Sequence, residues 1–285
     1  MSQAAAMSVV ERILDDPVAA LADGGVGFVG PDVPIEVLLA SGRTFGHLPW
    51  AADERAPWAD RWLESSFPGW ARSILEQWHA GAFDGLSSVV FSRADDASQR
   101  LYYYIAELQR RTLLDGPTPL IFDIAHIRRA ASVDHTVAAI RNLCRALSVE
   151  SDELNDAIAR ANALRRTLAQ VQTARRSHGP LHECLARAVL WSDPTQWIEG
   201  ILIPEQDESR QRVLLVGSVP PDDRIHRAVE AAGADIVAEA QVFELGRLGP
   251  EFSVGSLSPE CALASQVHTA SVAPRAMIDR ADWSV

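Results

Sequence analysis

Apolar positions in this chain switch between two periods, and the switches mark its elements. Short β-branched or aromatic runs close in Gly, Ser or Asp at Gly24–Pro31, Arg43–Trp50, Ser88–Ser92 and Pro119–His126. Each reads as a strand, and Ser88–Ser92 as a buried one, because a strand covered on both faces needs a continuous apolar run. Between them lie segments with apolar residues three or four apart: Met7–Ala22, Pro34–Ala40, a helix entered through Phe67–Ser73, and Leu101–Arg111. That spacing puts an apolar stripe on one helix face. The alternation β-α-β-α-β-α-β predicts a parallel sheet with helices on both faces.

The pattern changes after residue 134. Val137, Ile140, Leu143, Cys144 and Leu147 mark one helix, and Leu154, Ile158, Ala161, Leu164, Leu168 and Val171 mark a longer one. Leu181–Trp191 reads as a third, between His178-Gly179-Pro180 and Ser192-Asp193-Pro194. Strand character returns at Arg212–Ser218, followed by a helix from Asp222 to Ala232 and a strand at Gly233–Ala238. The tail from Leu248 shows little periodicity and is expected to be loop-rich. The chain therefore divides into an N-terminal α/β lobe (1–134), a helical insert or linker (135–208) suited to dimerisation, and a small C-terminal α/β lobe (209–285). The fold class is α/β, with two flavodoxin- or Rossmann-like lobes of parallel sheet, the second shortened.

Composition narrows the partners. The 285 residues carry a formal charge of −12, and lysine is absent, so all 26 basic residues are arginine, as in a GC-rich bacterial coding sequence. That balance opposes nonspecific binding to nucleic acid or anionic membrane, both of which need a basic face. Three separated cysteines, Cys144, Cys184 and Cys261, indicate no disulfide framework and fit a reduced cytoplasm. The N-terminus lacks the apolar core of a signal peptide, and no apolar run is long enough to span a membrane. Five of the eight tryptophans, Trp50, Trp58, Trp62, Trp70 and Trp78, form a cluster that reads as core or as an apolar binding wall.

Candidate chemistry collects where strands end. In open α/β sheets, ligands bind outside the carboxyl ends of the strands. His47 and His126, at two such ends, are candidate general bases, since histidine titrates near neutral pH; either can equally be a structural hydrogen-bonding residue. Asp95 and Asp96 stand at a helix start, where a cap and a substrate role are both open. Arg72, Ser73, Asp96 and Arg100 are candidates for orienting substrate, and Gly217-Ser218 before a helix for holding an anion, although the stretch has no GxGxxG or P-loop pattern. His178 and His182 are not read as metal ligands, because Gly179-Pro180 breaks the helix that would align them. Asp134-His135 reads as a helix N-terminus and His226 as solvent-facing.

The order of these pieces resembles the 2-hydroxyacyl-CoA dehydratase and benzoyl-CoA reductase superfamily, D-component type. The resemblance rests on Gly27–Pro34 with Leu38–Gly42, the Arg72-Ser73 helix, Asp95–Arg100 before Leu101-Tyr102, the Asn162 and Arg165 pair, and Val213–Asp223. It implies two-lobed subunits working in pairs on an acyl thioester, with an iron–sulfur cluster on three cysteines that receives an electron from an ATP-driven activator to form a ketyl radical. The sequence departs from that pattern: the family's cysteine positions fall at Pro68, at Ala94 and near Val242. Iron in such clusters needs thiolates, so the expectation is a protein without a cofactor.

Three functions follow from the resemblance. One is a cluster-free enzyme binding or acting on an acyl thioester by lyase-type acid–base chemistry, with His47, His126 and Asp95 catalytic. Another is a noncatalytic subunit paired with a cluster-bearing partner, and the third a small-molecule binding scaffold. A homodimer or a heterodimer is the expected assembly.

Overall fold

The computed structural model describes residues 2–21, 23–125, 129–175, 192–200, 210–217, 220–222, 224–240 and 250–270. Helix α1 (Gln3–Asp15) leads to β1 (Val26–Val29), α2 (Ile35–Ala40) and β2 (Phe45–His47). These are followed by α3 (Gly69–His79), β3 (Ser88–Ser92), α4 (Asp96–Arg110) and β4 (Thr118–Phe122). The four strands form one parallel sheet in the order β2-β1-β3-β4, with Phe28 opposite His47 and Val90, and Phe91 opposite Ile121. The chain runs outward from β1 to β2 and then crosses to β3, so strand order reverses between β1 and β3. Such a reversal leaves a crevice at the carboxyl ends of those two strands.

Strand alternation divides the core. Val26, Phe28 and Val90 face one cluster, while Val29, Val89 and Phe91 face the other. The second cluster holds α3 and α4 through Ile74, Leu75, Leu101 and Ile105, together with buried Trp78. Trp50, Trp58, Trp62 and Trp70 pack against it half-buried, so the tryptophan cluster is core. Gly27 packs closely between the faces: a Cβ there would stand 2.7 Å from Leu48 Cδ2, so the Leu48 side chain would have to shift.

The first cluster takes α1, α2 and two long helices, α5 (Ala130–Leu147) and α6 (Ser151–Arg175). Ile140, Leu143, Leu154, Ile158 and Leu164 share this core with Val26 and Phe28, so α5 and α6 cover one face of the sheet. Buried Glu36 of α2 pairs with Arg165 of α6, whose guanidinium also bonds Asn162 Oδ1 at 3.1 Å. The expected helix at 181–191 lies outside the described residues.

Strand β5 (Gln211–Val216), α7 (Arg224–Ala231) and β6 (Ala234–Ala240) form a parallel β-α-β unit, as the sequence predicts. His226 does not face solvent: it is 1% exposed. Helix α7 has a buried side toward β6, and His226 lies on it. The tail also departs from expectation, because Pro259–Ala270 is a helix, α8. Pro259 begins it, and Ser258 Oγ accepts from Cys261 N at 3.3 Å, a start signal of Ser followed by Pro. Leu263, Ala264 and Val267 on it pack in the first cluster, and Ala262 is also buried. No helix among the described residues is long and apolar enough to cross a membrane.

Candidate functional site

The carboxyl edge of the four-stranded sheet gathers most of the sequence-derived candidates. At the crevice, Gly30 follows β1 with φ +87°, and a Cβ on it would meet Ser98 Oγ at 2.5 Å and Asp95 Oδ2 at 3.0 Å. The turn after β1 thus rests on the N-terminus of α4. Asp95 caps that helix, accepting from Ala97 N at 2.9 Å and Ser98 N at 3.1 Å, and Ser98 Oγ donates to its other oxygen. Asp96 is exposed, with Arg100 Nη1 at 3.5 Å.

The other candidates on this side hold the segment between β2 and α3. Arg72 pairs with Asp60 and donates to Glu64 O at 2.6 Å. Arg100 pairs with Glu64, donates to Ser66 Oγ at 3.1 Å and lies 4.2 Å over the Phe67 ring. Ser73 Oγ accepts from Ala51 N at 2.8 Å. Each of these side chains fastens loop 51–67 to α3 or α4.

His47 ends β2 and is 2% exposed. Its Nδ1 is 2.7 Å from Leu48 O, so it donates there. Phe28 and Trp50 meet the ring edge-on, with centroids at 5.3 and 5.9 Å. His126 and Ser218 lie outside the described residues. Gly217 follows β5 with φ +144° and open space where a Cβ would be, and β5 belongs to the two-stranded sheet rather than to the one that carries the other candidates.

The structure adds a cluster that sequence reasoning missed. Arg93 and Asp123 follow the adjacent strands β3 and β4, and their side chains pair. His135 of α5 places Nε2 3.2 Å from Asp123 Oδ2. The hydrogen bond and charge of Asp123 hold the Arg93 guanidinium above its ordinary pKa. All three side chains remain between one-third and one-half exposed. Asp134-His135 is therefore more than a helix start: α5 begins at Ala130, and His135 turns to the sheet edge. A carboxylate against an imidazole, beside a guanidinium, can move a proton and bind an anionic group.

A family model for the 2-hydroxyglutaryl-CoA dehydratase D-component matches residues 32–266. The chain belongs to that family. No curated protein matches its sequence.

Membership in the D-component family raises the question of an iron–sulfur cluster. Pro68 is the N-cap of α3 and Ala94 follows β3, so both stand at the carboxyl edge where the resemblance places cysteines, and neither has a donor atom. Cys144 is buried in α5 and Cys261 is half-buried on α8, both in the helical layer of the first cluster. Burial pushes the Cys144 thiol up to about 11, the opposite of what a thiolate ligand requires. Among the described residues no three His, Cys, Asp or Glu side chains converge as metal ligands. The described residues thus do not fit a thiolate-held cluster; position 242 and Cys184 lie outside them.

Proposed function

We propose that this D-component-family chain binds an acyl thioester at the carboxyl edge of the β2-β1-β3-β4 sheet without a cluster, and performs lyase-type acid–base chemistry there. The observation that carries the reading is the Asp123–His135 contact at 3.2 Å, on the edge where Pro68 and Ala94 supply no thiol. Asp123 orients the imidazole, which removes the proton α to the thioester carbonyl. The electron pair forms the α,β double bond, and the β-hydroxyl takes that proton back from the imidazolium and leaves as water. Arg93 faces the developing negative charge. This chemistry suits a leaving group at the β-carbon, because the thioester acidifies only the α-proton.

The alternative is a noncatalytic subunit paired with a cluster-bearing partner. It is favoured by the internal contacts that engage Asp95, Arg72, Ser73 and Arg100. The test begins with iron and acid-labile sulfide on anaerobically purified protein, followed by titration with a 3-hydroxyacyl-CoA. Colourless, iron-free protein that binds the thioester and loses turnover, but not binding, in His135→Gln supports the enzyme. About four irons per chain would overturn the cluster-free reading. Binding without turnover, with a second subunit in native mass spectra, would support the silent partner.

A further inference from the structure

Helices α5 and α8 run antiparallel, and contacts at both ends fix how they meet. His268, in the last turn of α8, places Nε2 2.9 Å from Thr136 Oγ1 and 3.2 Å from Ser132 O, near the start of α5. At the other end, Glu260 in the first turn of α8 accepts from Ser151 Oγ at 2.8 Å, just beyond the C-terminus of α5.

That register brings two cysteines to one level. At a rise of about 1.5 Å per residue, Cys144 lies roughly 12 Å along α5 from Thr136, and Cys261 roughly 10.5 Å along α8 from His268. Both belong to the first core cluster, Cys144 buried within it and Cys261 half-buried against it. Facing Cα atoms of helices packed about 8–10 Å apart are separated by about 4–6 Å, within the span that a disulfide bridges. Burial first, and the charge of Glu260 beside Cys261 second, push the Cys144 thiol up to about 11.

We infer that Cys144 and Cys261 are a redox pair that closes to a disulfide and staples α8 to α5. The half-buried Cys261 is the entry point. Its thiolate attacks one sulfur of a low-molecular-weight disulfide such as glutathione disulfide, forming a mixed disulfide and expelling one thiolate. Cys144 then loses its proton to solvent base and attacks Cys261 Sγ, expelling the second. Two protein thiols are oxidised and one small disulfide is reduced to two thiols. Cys144 lies in the last turns of α5, at the far end from His135, so the pair does not rest on the thioester reading.

The test is nonreducing peptide mapping by mass spectrometry of the folded full chain, incubated in glutathione disulfide, as wild type and as Cys184→Ser, which removes the remaining thiol. In both, a peptide linking 144 to 261 appears and is lost on adding dithiothreitol. The oxidised protein melts about 5 °C or more above the reduced one, because the bond closes a long loop. Cys261→Ala loses the link and the rise in Tm; Cys144→Ala does the same, and Cys261→Ala decides if it does not fold. A glutathione adduct on Cys261 that never closes, linkage only to Cys184, a link that forms only in urea, or an oxidised Tm no higher than the reduced one would each overturn the inference.

Discussion

The Glu36–Arg165 pair should behave as a lock between the sheet's short helix α2 and the long helix α6. Their side chains are 2% and 5% exposed, so solvent screens the pair little. Arg165 is further held by Asn162 and lies 5.2 Å over the Phe252 ring, and Asn162 Nδ2 donates to Phe252 O. Replacing Glu36 with Leu leaves a guanidinium buried without its carboxylate, a loss of about 3–5 kcal/mol. For a domain of this size that lowers Tm by roughly 6–20 °C. The double variant Glu36→Leu/Arg165→Met removes both charges and keeps the apolar volume, so most of the loss returns, because well-packed apolar replacements of buried pairs are often neutral. Urea unfolding followed by tryptophan fluorescence measures Glu36→Leu, Arg165→Met and the double variant against wild type. A single-variant loss under about 1 kcal/mol, or a double variant as unstable as the sum of the singles, would refute the reasoning and show that water reaches the pair.

Other expectations follow from single contacts. Gly30→Ala forces a Cβ into Ser98 Oγ at a left-handed backbone position and should cost about 1–3 kcal/mol in the same assay; a neutral result would mean the β1 turn does not rest on α4. Asp95→Ala removes the acceptor of two backbone N–H groups and should cost about 1–2 kcal/mol, whereas Asp95→Asn keeps the cap and costs far less. Burial holds the Cys144 thiol neutral up to about 11, against an ordinary value of about 8.5. The stability this contributes is complete below the unfolded-state pKa and is lost as pH rises through the folded one, since the unfolded chain sheds its proton first. Wild type should therefore lose stability relative to Cys144→Ala between about pH 8.5 and 11; parallel profiles would show that the thiol is hydrated.

Much of the N-terminal lobe is legible in the sequence because its central strands, β1 and β3, are buried on both faces. Val26–Val29 and Ser88–Ser92 read as uninterrupted apolar runs, and the Asp95 cap follows from an acidic residue placed just before an amphipathic segment. Helix α8 was not legible because its buried face is built largely of Ala262 and Ala264, which barely stand out from their polar neighbours; Ser258-Pro259 was the signal available. The burial of His226 depends on which side of α7 meets β6, and periodicity over eight residues does not fix that. Asp123 and His135 are separated by the exit of β4 and the first turn of α5, so their contact exists only once α5 folds back over the sheet. A carboxylate immediately after a buried strand, beside an arginine immediately after its neighbour, was nonetheless visible as Ser92-Arg93 and Phe122-Asp123.

The arginines of the carboxyl edge constrain how any anionic substrate is recognised. Arg72 faces Asp60, Arg100 faces Glu64 and Asp96, and Arg93 faces Asp123, so each guanidinium arrives with its charge already countered. In a chain of formal charge −12 such pairs exert little long-range pull on a polyanionic thioester. Under the proposed function, recognition rests on short-range contacts, with Arg93 exchanging part of its bond to Asp123 for a bond to substrate. That exchange would also free Asp123 to move toward His135, coupling arrival of the anion to the contact that orients the imidazole. A site arranged this way ties proton transfer to occupancy, which a fixed and fully exposed histidine would not do.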